Sequence, residues 1–185
     1  MRASGLVAAL CVALSAWPAQ AAPPDYRRPQ VYFHPGLQMS QFFGSLEGSV
    51  ARSIGFSITQ GLQYRWIGLN LTIDTDYFLT SQDGLPFNSG LQTASFRLAG
   101  RFLVPVWNLR LFLEVAAARM SLVSNAVIEE TGPELHIHSA GGALGVRYDL
   151  GGFYFELRTD VDYPFELDGG LLMTFSLGFG IYTLL

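Results

Sequence analysis

Large apolar side chains recur at every second position through most of this chain. In "SIGFSITQGLQYRW" (53–66) Ile54, Phe56, Ile58, Leu62, Tyr64 and Trp66 share one edge. In "LNLTIDTDYFL" (69–79) Leu69, Leu71, Ile73, Tyr77 and Leu79 do the same. The alternation returns at 94–104, 109–118, 140–150, 153–163 and 171–185. Successive side chains of a strand leave opposite faces of the pleat, so period two predicts β-strands. A weaker run at 32–43, interrupted by Pro35, brings the expected number to eight. No helical period is found after residue 30.

The connections provide an independent check. Residues flanking a two-residue hairpin turn stand opposite each other and share a face. Trp66 and Leu69 flank Ile67–Gly68, Leu150 and Phe153 flank Gly151–Gly152, and each pair lies on the apolar edge. A four-residue link, 105–108, joins Val104 to Leu109. The alternate connections, near 44–53, 80–92, 122–136 and 164–170, are long and polar. Short turns at one end and long loops at the other predict an up-and-down meander that spans a membrane.

The opposite edge of these strands carries charge. Arg65, Asp74, Asp76, Arg97, Arg101, Arg110 and Glu114 fall there, followed by Arg147, Asp149, Glu156, Arg158, Asp160 and Asp162. Glycine, serine, threonine and alanine fill the spaces between them. An eight-stranded barrel has an interior just wide enough for side chains to fill. The row of Phe, Tyr, Trp and Leu would overfill it, whereas glycines and arginine–carboxylate pairs fit. An arginine facing lipid costs ~2–4 kcal/mol near the midplane, so thirteen outward charges are excluded. The apolar edge therefore faces acyl chains, and the charged edge forms a network that plugs the lumen. Interfacial girdles are expected from Trp66, Trp107 and Tyr148 at the short-turn end and from Tyr77 and Tyr163 at the other. Phe42, Phe43, Phe153, Phe165 and Tyr182 are assigned to the same belts.

Composition narrows the class further. Half of the 185 residues are apolar and 14% are charged, against about a quarter in ordinary globular domains. The net charge of −4 makes a nucleic-acid partner unexpected. "MRASGLVAALCVALSAWPAQA" has a basic start, an apolar run and a small-x-small ending, the pattern of a cleaved export signal over 1–21. The Pro-rich segment 22–30 reads as a flexible leader and 31–185 as the barrel domain. The single cysteine, Cys11, lies within the signal, so the exported protein has no thiol chemistry.

In architecture, 31–185 resembles the small OmpA/OmpX-type outer-membrane barrels of Gram-negative bacteria. The resemblance implies an all-β, eight-stranded antiparallel up-and-down transmembrane barrel in the outer membrane. Its implied surroundings are outer-membrane lipid and lipopolysaccharide, and its insertion would use the barrel-assembly machinery. Such chains usually end on an aromatic residue read during assembly; here Leu185 is last and Tyr182 stands three places earlier.

Three chemical readings compete with that of a plain barrel. Glu129, Glu130, Glu134, His136 and His138 share one loop, but a metal needs three or four converging ligands, so no metal or cofactor is expected. Some small barrels resemble lipid A deacylases, which carry a His-x-Ser pair on one strand face. His138 and Ser139 are adjacent and must diverge, and a serine needs a base within hydrogen-bond reach. No catalytic residue is assigned. The third reading is a secreted soluble barrel holding a hydrophobic ligand. The expectation is a monomeric, non-catalytic envelope scaffold whose acidic extracellular loops meet partners, with a lipid A-modifying hydrolase and the soluble carrier as alternatives.

Overall fold

The computed structural model describes residues 28–43, 50–80, 91–106, 109–124, 135–166 and 169–185. They form β1 (Gln30–Phe43), β2 (Val50–Tyr64), β3 (Ile67–Thr80) and β4 (Leu91–Val106), then β5 (Leu109–Ser124), β6 (Leu135–Asp149), β7 (Phe153–Pro164) and β8 (Leu171–Leu184). Each strand pairs antiparallel with its sequence neighbours, and β1 closes the circle on β8. Closure leaves no unpaired edge, and the eight-stranded antiparallel barrel is the one the alternation predicts. Residues 1–27, which hold the expected signal and most of the expected leader, lie outside the described residues. Strand β1 begins one residue before the expected start of the barrel domain, because Gln30 is already paired and buried.

Pro35 does not end β1. Its ladder to β2 continues through the pair Pro35↔Ile58, while the ladder to β8 passes from Phe33↔Ile181 to Gly36↔Gly178. A proline has no N–H to give, and the interruption on one side accommodates it.

Two turns differ from expectation. The β2–β3 hairpin turns at Arg65–Trp66, with Tyr64 paired to Ile67, and not at Ile67–Gly68. Arg65 sits there at φ 53°, in the left-handed region that side chains other than glycine seldom occupy. Strands β4 and β5 run on to the pair Val106↔Leu109, which shortens their link from four residues to 107–108; Trp107 lies outside the described residues. The Gly151–Gly152 turn stands where expected, with φ of 63° and 99°. A two-residue turn of this hand requires positive φ at both positions. Leu150 N–H closes it on the Phe153 carbonyl at 2.8 Å.

The wall is sorted as the alternation predicts. Phe56, Leu71, Phe96, Leu113, Phe155 and Phe175 are exposed on its outside, while Arg97, Arg101, Asp160 and Asp162 are buried within. The interior also contains large side chains. Tyr32, Phe112 and Tyr154 are buried there, each directly opposite a glycine in register: Gly61, Gly145 and Gly180. A Cβ on any of these glycines would collide with the facing ring. Glycine makes room for the aromatics.

Toward the long-loop end apolar side chains turn into the lumen as well. Phe42, Met120, Ile137 and Leu172 point inward and are buried, in the cross-strand pairs Phe42↔Leu172 and Met120↔Ile137. Phe42 is thus an interior residue and not part of the outer girdle. On β5 and β6 the outward positions beside them are polar, Arg119, Ser121, His136 and His138, whereas on β1 and β8 Phe43 and Leu171 remain exposed on the outside. Polar and aromatic side chains thus share the outer surface at this end, the mixture of a membrane–water interface.

Candidate functional site

The lumen is crossed by one connected set of buried charges. At its centre Arg101 on β4 gives Nε–H to Glu114 on β5, and its two terminal nitrogens bond Glu156 on β7 at 2.7 and 2.8 Å. Glu114 also receives Asn70 Nδ2 at 2.5 Å and meets Arg158 Nη2 at 3.0 Å. Arg158 donates through Nε to Asp160 at 2.8 Å. Arg97 then joins Asp160, at 3.0 Å, to Asp162. Tyr32 O–H is bonded to Asn70, which ties β1 to the same cluster. Charges removed from water are tolerable only when paired and hydrogen-bonded. Arginine's planar fork satisfies two carboxylates at once, as a lysine ammonium does not.

A second group closes the short-turn end. Asp149 binds both Arg110 and Arg147, the latter at 3.1 Å. The Arg147 guanidinium is fully buried and lies 3.6 Å from the Tyr154 ring centroid. Tyr182, assigned by the sequence to the lipid-facing belt, instead points inward. Its hydroxyl oxygen accepts the Gly152 N–H at 2.8 Å.

Asp74 and Asp76 are held differently. Ser95 Oγ donates to Asp74 at 2.6 Å; Gln38 Nε2 and Ser53 Oγ donate to Asp76 at 2.9 and 3.0 Å. Between this pair and the Arg97 cluster lies a cavity of about 40 Å³, the room of a water molecule or two.

The structure thus brings twelve of the thirteen expected lumen charges inside. Arg65 is the exception: it belongs to the β2–β3 turn, is exposed, and lies 5.2 Å from the Tyr64 ring centroid. The shift of the turn removes it from the lumen. Of the expected belt, Trp66, Tyr77 and Tyr163 are exposed on the outer wall and Tyr148 is half-buried there. Trp66 stacks on Phe102 at 6.4 Å, and Tyr163 meets Phe165 edge-on at 6.2 Å.

One arrangement at the long-loop end was missed in the sequence. Ser121 on β5 and His136 on β6 are cross-strand partners, with Oγ 3.0 Å from Nδ1. Beside them Glu166 accepts from the His138 backbone N–H and ring Nδ1, both at 2.8 Å. These bonds hold the Glu166 carboxyl below the usual carboxylate range. The signal was present, since the period-two spacing continues through 119–121 and 136–138, but the outward residues change there from apolar to polar. His138 and Ser139 do diverge, the first exposed and the second buried. Glu129, Glu130 and Glu134 lie outside the described residues, among which no group of three acidic, histidine or cysteine side chains is placed to hold a metal ion.

Comparison with solved structures bears on the fold. Neisserial surface protein A superposes with a TM-score of 0.60 at 11% identity, covering 82% of this chain and 96% of that one. Ail, the attachment invasion locus protein of Yersinia pestis, was solved with the heparin analogue sucrose octasulfate. It matches with a TM-score of 0.59 at 12% identity, over 84% of this chain and 99% of its own. The N-terminal barrel of Pseudomonas aeruginosa OprF gives 0.50 at 14% identity, with 82% and 97% covered. All three are eight-stranded barrels of the OmpA/OmpX type. The chain has the small outer-membrane barrel fold. No family model and no curated protein matches it in sequence. What it shares with these barrels is therefore the closed eight-stranded wall.

Proposed function

We propose that this protein is a monomeric integral outer-membrane barrel with a closed interior and a non-catalytic role. It serves as an envelope scaffold whose extracellular loops meet partners. The observation that carries the reading is the connected path Asp162–Arg97–Asp160–Arg158–Glu114–Arg101–Glu156, which runs between β4 and β7 across the lumen. Each side chain in it is held by partners of opposite charge, which suits a rigid plug better than a conduit. Outer-membrane lipid and lipopolysaccharide surround the wall, and the barrel-assembly machinery inserts it. The long-loop end faces outward from the cell. That Ail was solved in complex with the heparin analogue sucrose octasulfate supports partner binding by a barrel of this fold.

Two measurements test this. The protein should fractionate with the outer membrane and migrate faster on gels before heating than after. Planar bilayers containing it should show no steady conductance; a stable open channel would overturn the plug.

A second reading, a lipid-modifying hydrolase, draws support from the hydrogen bond between Ser121 and His136, since a base within reach is what a nucleophilic serine requires. Both Glu166 oxygens go to His138, so that carboxylate orients the neighbouring histidine. Overexpression followed by mass spectrometry of lipid A separates the two readings. An unchanged mass supports the scaffold, and loss of an acyl chain that depends on Ser121 supports the hydrolase.

A further inference from the structure

Arg119 points outward from β5 and is exposed. Its cross-strand neighbours are Phe96 on β4 and His138 on β6. Among the described residues no carboxylate pairs with it, and Glu166 on the same rim is bound to His138. An outward guanidinium is costly at the bilayer midplane and tolerable at the interface, so its height decides its role. Tyr77, Arg119 and Tyr163 each stand eleven positions from their short turn. A strand tilted by about 40° rises roughly 2.5 Å per residue along the membrane normal. Eleven positions then correspond to ~28 Å, just past an apolar band about 25 Å tall. Arg119 shares the level of the outer aromatic girdle, where lipid phosphates lie.

Below it the wall is hollowed. One rung of cross-strand neighbours reads Leu98, Ala117, Ala140 and Tyr163; the next reads Gly100, Val115, Gly142 and Val161. On the first rung large side chains stand on β4 and β7, with only methyl groups on β5 and β6 between them. On the second, Val115 stands between two glycines and is 71% exposed. The distance from β4 to β7 is three interstrand spacings, roughly 14 Å, which accommodates an acyl chain or two. Small residues alone would signify little. The outward guanidinium at the head of the trough, without a carboxylate partner among the described residues, gives it a chemistry.

We infer that Arg119 and the trough beneath it form a docking site for one phosphate-bearing lipid of the outer leaflet. The phosphate meets the guanidinium, and an acyl chain lies over Ala117, Ala140 and Gly142. A guanidinium fork matches two phosphate oxygens, and the trough supplies the apolar half of an amphiphile. The inference rests on the membrane reading above and names a lipid for one segment of the wall. Arg52 on β2 is also outward and exposed at the long-loop end, but its same-face neighbours on the next rung, Ile54 and Tyr77, are large, so it heads no comparable trough.

The test uses the full exported chain, refolded in dodecyl maltoside, a detergent without phosphate. Dioleoyl phosphatidic acid is added and retention is read by native mass spectrometry. One molecule per barrel should be retained. Arg119→Gln should reduce retention at least tenfold, and Ala117→Leu, which fills the trough without changing charge, at least fivefold. Arg52→Gln should leave it unchanged. Heat-modifiable migration establishes that each variant is a folded barrel. Equal retention by Arg119→Gln would overturn the site, as would equal retention of dioleoyl glycerol, which lacks the phosphate. Displacement by inorganic phosphate at the lipid's own concentration would also overturn it, by showing a site for the free anion. Failure of the membrane reading would show separately, as wild-type protein missing from the outer-membrane fraction.

Discussion

Arg101 on β4 meets Glu156 on β7 through two parallel contacts, Nη1 to Oε2 at 2.7 Å and Nη2 to Oε1 at 2.8 Å. The two strands are separated by β5 and β6 along the wall, so this pair braces the lumen across its width. Both side chains are buried. Removing one partner leaves an uncompensated buried charge, which costs ~3–5 kcal/mol, whereas removing both together costs much less. Glu156→Gln should lower stability by about that amount in urea unfolding from lipid vesicles. Arg101→Met combined with Glu156→Met should recover part of the loss. A single substitution costing under ~1 kcal/mol, the scale of an exposed pair, would show that water reaches this site.

The sidedness of this pair was legible in the sequence, but its pairing was not. Alternation is a local property of the pleat, so the inward direction of Arg101 and Glu156 follows from their own strands. Which carboxylate each arginine meets depends on the stagger of strands far apart in sequence, and no local pattern encodes that. The misplaced turn has a different cause. Sliding a hairpin by two residues leaves every side chain on its original face, so an argument from faces cannot distinguish Arg65–Trp66 from Ile67–Gly68. Gly68 suggested a turn, yet it lies in the ladder opposite Gln63. The sequence also concealed the inward aromatics. Tyr32, Phe112 and Tyr154 break the small-or-charged pattern of the lumen, and only the register reveals the glycine facing each one.

That register leads to a prediction at Gly180. A Cβ there would collide with the ring of Tyr154, its cross-strand partner, and with no backbone atom among its nearest neighbours. Overpacking of this kind typically costs ~1–3 kcal/mol. Gly180→Ala should be destabilising by that amount, and Tyr154→Leu should relieve the clash in a double-mutant cycle. A coupling energy of about 1 kcal/mol or more is expected, since directly contacting residues do not add independently. Additive losses would mean that the cost at Gly180 does not come from the Tyr154 ring.

Arg65 is strained in the opposite sense, by its backbone. A residue with a side chain pays about 1–2 kcal/mol to hold the left-handed conformation, and glycine gives back roughly 0.5–1 kcal/mol through its freer unfolded chain. Arg65→Gly should therefore stabilise the barrel by about 0.5–1 kcal/mol. The hydrogen bond from Gln63 Nε2 at 3.0 Å would survive, because it is accepted by the Arg65 backbone carbonyl. The same substitution should leave bilayer conductance unchanged, because the side chain is outside the lumen. Destabilisation would indicate that the stacking of Arg65 on Tyr64 outweighs the backbone strain.

The clasp between Glu166 and His138 should respond to acid. His138 donates to the carboxylate from its backbone N–H and from ring Nδ1, which keeps the Glu166 carboxyl below its ordinary value of 4.5. A carboxyl whose pKa is depressed on folding contributes stability above its unfolded pKa and loses it as pH falls through the folded value. The clasp should thus be complete at neutral pH and should open only below about pH 4.5. The His138 amide proton, followed by NMR in detergent micelles, should shift upfield in that acid window as its carboxylate acceptor is protonated. Glu166→Gln should abolish the acid step while leaving the neighbouring bond from Phe165 N–H to the His138 carbonyl, 2.8 Å in the structure, protected from exchange. An amide that titrated identically in both proteins would show that the carboxylate is not its partner in solution.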